Sequence, residues 1–204
     1  QHLVCIPAAQ EPESLLETLQ ALAEVQQADK ALVIVLINGS ESSPSEVHEG
    51  NAVCAEEIRQ AAGLNRDAMA WGAIGKLRLL LVDRYSPGRR LPSREGVGLA
   101  RKILGDMGLA LKHRGAIRSD WMLTTDADVR PPKDYLLRVP ESSKGRSAAI
   151  FPFEHVPEGD ALQKKAIRLY EAYLRYYTEG LQAAGSPYGF QTIGSLIAVE
   201  FSAY

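Results

Sequence analysis

Two aspartates one residue apart, Asp126 and Asp128, follow the apolar run Trp121-Met122-Leu123 and its two threonines, and Val129-Arg130-Pro131-Pro132 comes directly after them. On a strand, residues at i and i+2 point to the same side. Two carboxylates that close repel each other unless a cation sits between or near them. A hard divalent ion, Mg²⁺ or Mn²⁺, suits such oxygen ligands and keeps places for substrate phosphates. The same spacing also fits a solvated turn after a strand, because aspartate is common in turns. On spacing alone both readings stay open.

A second group of charges precedes them. Arg84, Arg89, Arg90 and Arg94 lie in or beside the Tyr85–Gly96 stretch, which also carries two prolines and two glycines. This reads as a mobile basic loop. It either holds an anion or is plain solvated surface. Late in the chain, Glu154, Asp160 and Glu200 are the acids outside the long final helix and its flanks. None stands out as a general base.

The elements that must position these groups follow from the hydrophobic pattern. His2 to Pro7 reads as a short buried strand. A helix follows, with Leu15, Leu16, Leu19, Leu22 and Ala23 on one face, Ser14 and Glu17 at capping-box spacing, and Pro12 near its start. Ala31 to Ile37 is apolar and rich in β-branched residues, as in a parallel strand covered on both faces. It ends in the turn signal Asn38-Gly39-Ser40. Glu41 to Gly50 reads as loop, Ala52 to Ala62 as helix, and Leu77 to Asp83 as a third strand; Asn65 to Ala73 has no clear pattern. Val97 to Lys112 is the best-patterned helix, and Trp121 onward is the fourth strand. Strand and helix alternate, which predicts a parallel α/β sheet with ligands outside the carboxyl ends of its strands.

In the last third, Ala148 to Phe153 reads as a strand and Gln191 to Phe201 as another. Between them Ala161 to Gln182 is a long helix with Leu162, Ala166, Leu169, Tyr170, Tyr173, Leu174 and Tyr177 on an apolar face, expected to pack into the core. No repeat or linker divides the chain. The expectation is one α/β domain over residues 1–204: a Rossmann-like, mostly parallel sheet flanked by helices.

Composition narrows the function classes. The chain has 204 residues, 46% apolar and 24% charged, with a formal net charge of -2. That charge gives no case for nucleic acid. No apolar run is long enough to span a bilayer, and no signal-peptide pattern opens the chain. Cys5 and Cys54 read as free thiols of a reducing compartment. The expected location is cytoplasmic, with a peripheral place at the inner face of a membrane kept open. Both ends read as cuts, so the C-terminal half is expected to be incomplete.

Four stretches resemble the nucleotide-diphospho-sugar glycosyltransferases of the GT-A fold, most closely family 2. Ile6-Pro7-Ala8-Ala9-Gln10-Glu11 is similar to that family's Ile-Pro-Ala-Tyr-Asn-Glu. Val35-Leu36-Ile37-Asn38-Gly39-Ser40 is similar to its Val-Val-Asp-Asn-Gly-Ser. Gly96 to Lys102 is similar to its Gly-x-x-x-Ala-Arg-Asn helix, and Thr125-Asp126-Ala127-Asp128 to its Asp-x-Asp motif. The chain departs from the family at Ala9, Gln10, Ile37 and Lys102.

The resemblance implies a metal-dependent transfer of sugar from a nucleotide-diphospho-sugar donor to an acceptor hydroxyl, with inversion. The acceptor class stays open between saccharide, lipid-linked and small-molecule hydroxyls. Residues to about 135 would bind the nucleotide, and residues from about 136 would bind the acceptor. Asp128 would ligate Mn²⁺ or Mg²⁺. Asp126 would bind ribose or sugar, or the ion through water. Pro7, Ala8, Glu11, Asn38 and Ser40 would line the nucleotide pocket, and Arg101 would meet phosphate. His155 would be a third ligand, or else polar packing. The competing readings are a nucleotidyltransferase, a phosphatase built on Asp-x-Asp, and a non-catalytic sugar-nucleotide-binding relative.

Overall fold

The structure is a computed structural model that describes residues 1–139, 145–192 and 195–204. The chain resolves into two compact units, residues 1–149 with 197–204, and residues 150–196.

The first unit is built on β1 (His2–Ala8), β2 (Ala31–Asn38), β3 (Met69–Ile74), β4 (Leu77–Arg84) and β5 (Trp121–Thr124). With β6 (Ala148–Ile150) and β7 (Ile197–Glu200) they form a mixed sheet in the order β3-β4-β2-β1-β5-β7-β6. The central four, β4, β2, β1 and β5, are parallel, while β3 and β7 run antiparallel to their partners β4 and β5. β2 is buried along its whole length, which explains why its sequence is continuously apolar and not alternating.

Alternate residues of the central strands face opposite layers. Leu3, Cys5, Leu32, Ile34, Leu36, Leu80 and Val82 meet Ala100 and Leu104 of α3 (Val97–His113) in one cluster. α1 (Ser14–Ala23) buries Leu15, Leu19 and Leu22, and α2 (Ser45–Ala62) buries Ala55 and Ile58. α1 and α2 pack on each other, and α2 also meets β2 and β3. The α/β class and mostly parallel sheet expected from the sequence are therefore present.

Four local expectations are corrected. β3 is an added strand, joined to β4 by a two-residue turn with Gly75 at φ 57°. Glycine at the first central position is the signature of a hairpin turn whose twist suits the strands. α2 begins at Ser45, so the stretch read as loop is half helix. Ser14 is the first residue of α1 and does not cap it; its hydroxyl donates to the Glu11 carboxylate at 2.8 Å. β6 and β7 are shorter than the expected 148–153 and 191–201; residues 193 and 194 of the latter lie outside the described residues.

The second unit contains α4 (Ala161–Ala183). Asp160 caps it, accepting from Leu162 N and Gln163 N at 2.8 Å each, and Gln163 returns a bond to Asp160 N. The tyrosine face expected in the core is exposed: Leu162, Leu169, Tyr170, Tyr173 and Tyr177 are each at least 51% accessible. Ile167, Glu171, Leu174, Thr178 and Leu181 form the less exposed side. No helix among the described residues is long and apolar enough to cross a membrane.

Candidate active site

β1 and β5 are neighbours in the sheet, and the chain reaches β2 and β4 on one side of β1 before returning to β5 on the other. In an open α/β sheet that reversal leaves a crevice beyond the carboxyl ends of the strands. A cleft of about 260 Å³ lies there, lined by Pro7, Ala8, Ala9, Glu11, Asn38, Val97, Asp126, Ala127 and Asp128. Each lining segment directly follows, or ends, a strand or opens a helix. Six of the residues singled out in the sequence therefore converge: Pro7, Ala8, Glu11, Asn38, Asp126 and Asp128. Ser40 does not line the cleft. It sits in a turn with its hydroxyl against Ser42 and Ser43, and pairs with Leu91.

The two aspartates do not project from a strand, as their spacing suggested. β5 stops at Thr124, and Asp126 to Asp128 form a turn beyond it. Turn and strand are held together by Thr125 N donating to Cys5 O at 3.1 Å. The turn is also held from behind by Thr18 of α1. Its buried hydroxyl lies 2.8 Å from Ala127 O and 3.0 Å from Val129 O. Both carboxylates reach the same cleft through a pinned turn and not by strand pleating, the two settings their spacing allowed.

Arg101, on the second turn of α3, donates to Asp126 Oδ1 at 3.0 Å. The guanidinium thus neutralises part of the charge that two neighbouring carboxylates would concentrate. It commits one oxygen of Asp126. Among the described residues no group of three or more His, Cys, Asp or Glu side chains gathers as a metal centre. Two carboxylates still fit Mn²⁺ or Mg²⁺, because Mg²⁺ is commonly held by one or two carboxylates and completed by substrate phosphates.

The basic stretch after β4 is fastened down. Asp83 is buried and accepts from Tyr85 N at 3.1 Å, from Ser86 N at 2.9 Å and from Arg89 Nη1 at 3.0 Å. Burial alone would raise the Asp83 carboxyl. The bonds from Ser86 and Tyr85, with the Arg89 guanidinium, outweigh it and hold the group below the usual range. Arg90 Nε donates to Tyr85 O at 3.1 Å. Leu91 is fully buried and bonded to Gly39 and Glu41. Arg89 is thus tied to the end of β4 and Arg90 to the backbone of its own loop.

In the second unit His155 is bonded to Glu171 through both its backbone N and its ring Nδ1, with Phe153 and Tyr170 edge-on to the ring. Burial raises the Glu171 carboxyl, but the bonds from His155 and the nearby Arg175 more than offset this and lower it. Asp160 is taken up by its cap, and Glu200 accepts from the backbone and hydroxyl of Ser202.

Two residues of the cleft's support were missed in the sequence, Thr18 and Asn51. Asn51 is fully buried. Its Oδ1 accepts from Gln10 N at 2.7 Å, and its Nδ2 donates to Asn38 O at 2.9 Å. A polar residue inside an apolar helical face was the available signal in both cases.

No family model matches the sequence, and no curated protein matches it. Among solved structures, the chain is similar to residues 1–349 of S. aureus TarS, at 16% identity and a TM-score of 0.39, over 67% of this chain and 30% of that one. The same protein in complex with UDP-GlcNAc aligns at 15% identity and a TM-score of 0.35, over 67% and 29%. A further structure of S. aureus TarS aligns at 16% identity and a TM-score of 0.35, over 63% and 16%. The chain spans less than a third of those proteins' length. The likeness is shallow, and the functional reading rests on the cleft.

Proposed function

We propose that the first unit binds a nucleotide-diphospho-sugar and that the protein transfers its sugar to an acceptor hydroxyl. The observation that carries this reading is the meeting of four separate sequence stretches, after β1, β2 and β5 and at the start of α3, on one cleft at the sheet's reversal point. Transfer of this kind leaves negative charge on a departing diphosphate, so the site must supply positive charge and hydrogen-bond donors to it. A bound Mn²⁺ or Mg²⁺ would supply Lewis-acid stabilisation of that charge.

Asp128 would hold the ion directly. Asp126, oriented by Arg101, would hold it through water or meet the sugar or ribose. Val97 brings the start of α3 to the cleft, where free backbone N–H groups favour an anion. Pro7, Ala8, Glu11 and Asn38 would enclose the nucleotide. The acceptor, the base that takes its proton and the stereochemical course belong to this proposal without an assigned residue.

Thermal melting against nucleoside diphosphates and sugar nucleotides, with and without Mn²⁺, tests the proposal. UDP-GlcNAc is a reasonable first donor to try. A ligand that binds only the native state raises the melting temperature by mass action, by about 2.7 kcal/mol of stability at a hundredfold excess over Kd. The expected result is a shift that needs both ligand and Mn²⁺ and is lost in Asp128→Ala. A folded protein that shifts with none of these ligands overturns the reading.

A further inference from the structure

The loop between β1 and α1 forms one lip of the cleft through Ala9 and Glu11. Two of its residues take a positive φ without being glycine: Gln10 at φ 59°, and Glu13 at φ 72° and ψ -59°, the centre of a tight turn closed by Ser14 N donating to Pro12 O at 2.9 Å. Such conformations are strained and persist only where the surroundings over-determine them.

The surroundings are one face of α2. Gly50 lies so close to the loop that a Cβ there would stand 3.0 Å from Gln10 Cγ. Asn51 accepts the Gln10 N–H, and the Cys54 thiol donates to Glu11 O at 3.4 Å. A longer contact at 3.5 Å joins Glu13 N to Glu57 Oε2. Positions 50, 51, 54 and 57 follow one side of a helix. Asn51 makes the additional bond to Asn38 O, so a single carboxamide ties the lip of the cleft to the end of β2. Asn38 faces the cleft, is 6% exposed, and its Oδ1 is buried without a partner among the described residues. A buried acceptor in that state is destabilising until a donor reaches it.

We propose that α2 is a clasp that holds the β1–α1 loop in its strained form for the ligand, with Asn51 as the positioning residue. By fixing Gln10 against Asn38, Asn51 sets the affinity of the cleft without touching what it binds. The ligand half of this proposal rests on the reading of the cleft as a donor-nucleotide site.

Three variants test it. Asn51→Ala removes both bonds. Asn51→Asp keeps an acceptor for Gln10 N–H but places an oxygen against Asn38 O. Ile58→Val, on the same helix at a fully buried core position, is the control for general destabilisation. The probes are the uridine, guanosine, adenosine and cytidine diphosphates with Mn²⁺, and three quantities are read: melting temperature, dissociation constant and amide exchange at Gln10. Both Asn51 variants should weaken binding of the preferred diphosphate by about tenfold or more, the loss that corresponds to roughly 1.4 kcal/mol. Ile58→Val should lower the melting temperature and leave binding unchanged. Exchange at Gln10 should quicken in Asn51→Ala alone.

Unchanged affinity in the Asn51 variants overturns the positioning role, as does a loss shared in proportion by Ile58→Val. Unchanged exchange at Gln10 in Asn51→Ala overturns the clasp, whatever the cleft binds. A wild-type protein that binds none of the four, yet shows quickened Gln10 exchange on loss of Asn51, supports the clasp and overturns the donor-site reading.

Discussion

The hydroxyl of Thr18 illustrates how much of the site depends on groups that do no chemistry. It reaches two carbonyls of the turn that carries Asp126 and Asp128, across sequence separations of 109 and 111 residues. Thr18→Val keeps the shape and removes the donor. Leaving a buried carbonyl without its partner costs about 1–3 kcal/mol, so the melting temperature should drop by several degrees. Mn²⁺-dependent ligand binding should weaken as well, because the loosened turn bears the proposed metal ligand. Calorimetry and a binding titration on one sample check both, and a stable variant with full affinity would show that the turn holds its shape without Thr18. In the sequence the signal for this is faint. Thr18 stands among Leu15, Leu19 and Leu22 at helical spacing, and a threonine there looks like background. Asn51 was hidden in the same way. The aspartates were legible as a pair but not in their setting: their spacing fits both strand and turn, and only the pinning from α1 decides between them.

The elements read from the sequence divide by how they are buried. β1, β2, β4 and α3 were legible because burial on both faces, or along one helical stripe, leaves a strong pattern. β3 was not, because an edge strand meets the core with few residues; Met69 and Trp71 are more than half exposed. The start of α2 was masked by serine and glutamate, which belong on its solvent side. On α4 the periodicity picked out Leu162, Leu169, Tyr170, Tyr173 and Tyr177, but these lie on the exposed side, and the less exposed one runs through Ile167, Glu171, Leu174, Thr178 and Leu181. α3 offers a direct test of close packing. Gly108 faces the sheet, and a Cβ there would stand 2.6 Å from Leu3 Cδ2 and 3.0 Å from Met122 Sδ. Gly108→Ala gains helix propensity of just under ~1 kcal/mol, but overpacking against two strands costs about 1–3 kcal/mol. The variant should therefore be net destabilised in chemical denaturation. A stabilised variant would mean that α3 shifts outward without cost.

At the scale of the whole molecule, the first unit holds nearly all of the sheet, the cleft and both cysteines, while the second is organised on one long helix with the His155–Glu171 pair. The general architecture and the position of the cleft followed from alternating strands and helices. No linker composition marks the boundary between the two units.

Cys54, held against Glu11 in the grip on the loop, and Cys5, in the middle of the sheet, give the molecule two internal clocks. Burial pushes the Cys5 thiol up to about 12; burial, with the Glu57 and Glu11 carboxylates, does the same to Cys54. Only the thiolate reacts with a labelling reagent, so each cysteine waits for its own opening. Cys54 should label at a rate nearly independent of mild denaturant, as expected when only a loop lifts. Cys5 should label with the steep denaturant dependence of global unfolding. Mass spectrometry of the labelled peptides resolves the two rates. A shared rate with one slope would mean that the lip of the cleft opens only when the sheet itself comes apart.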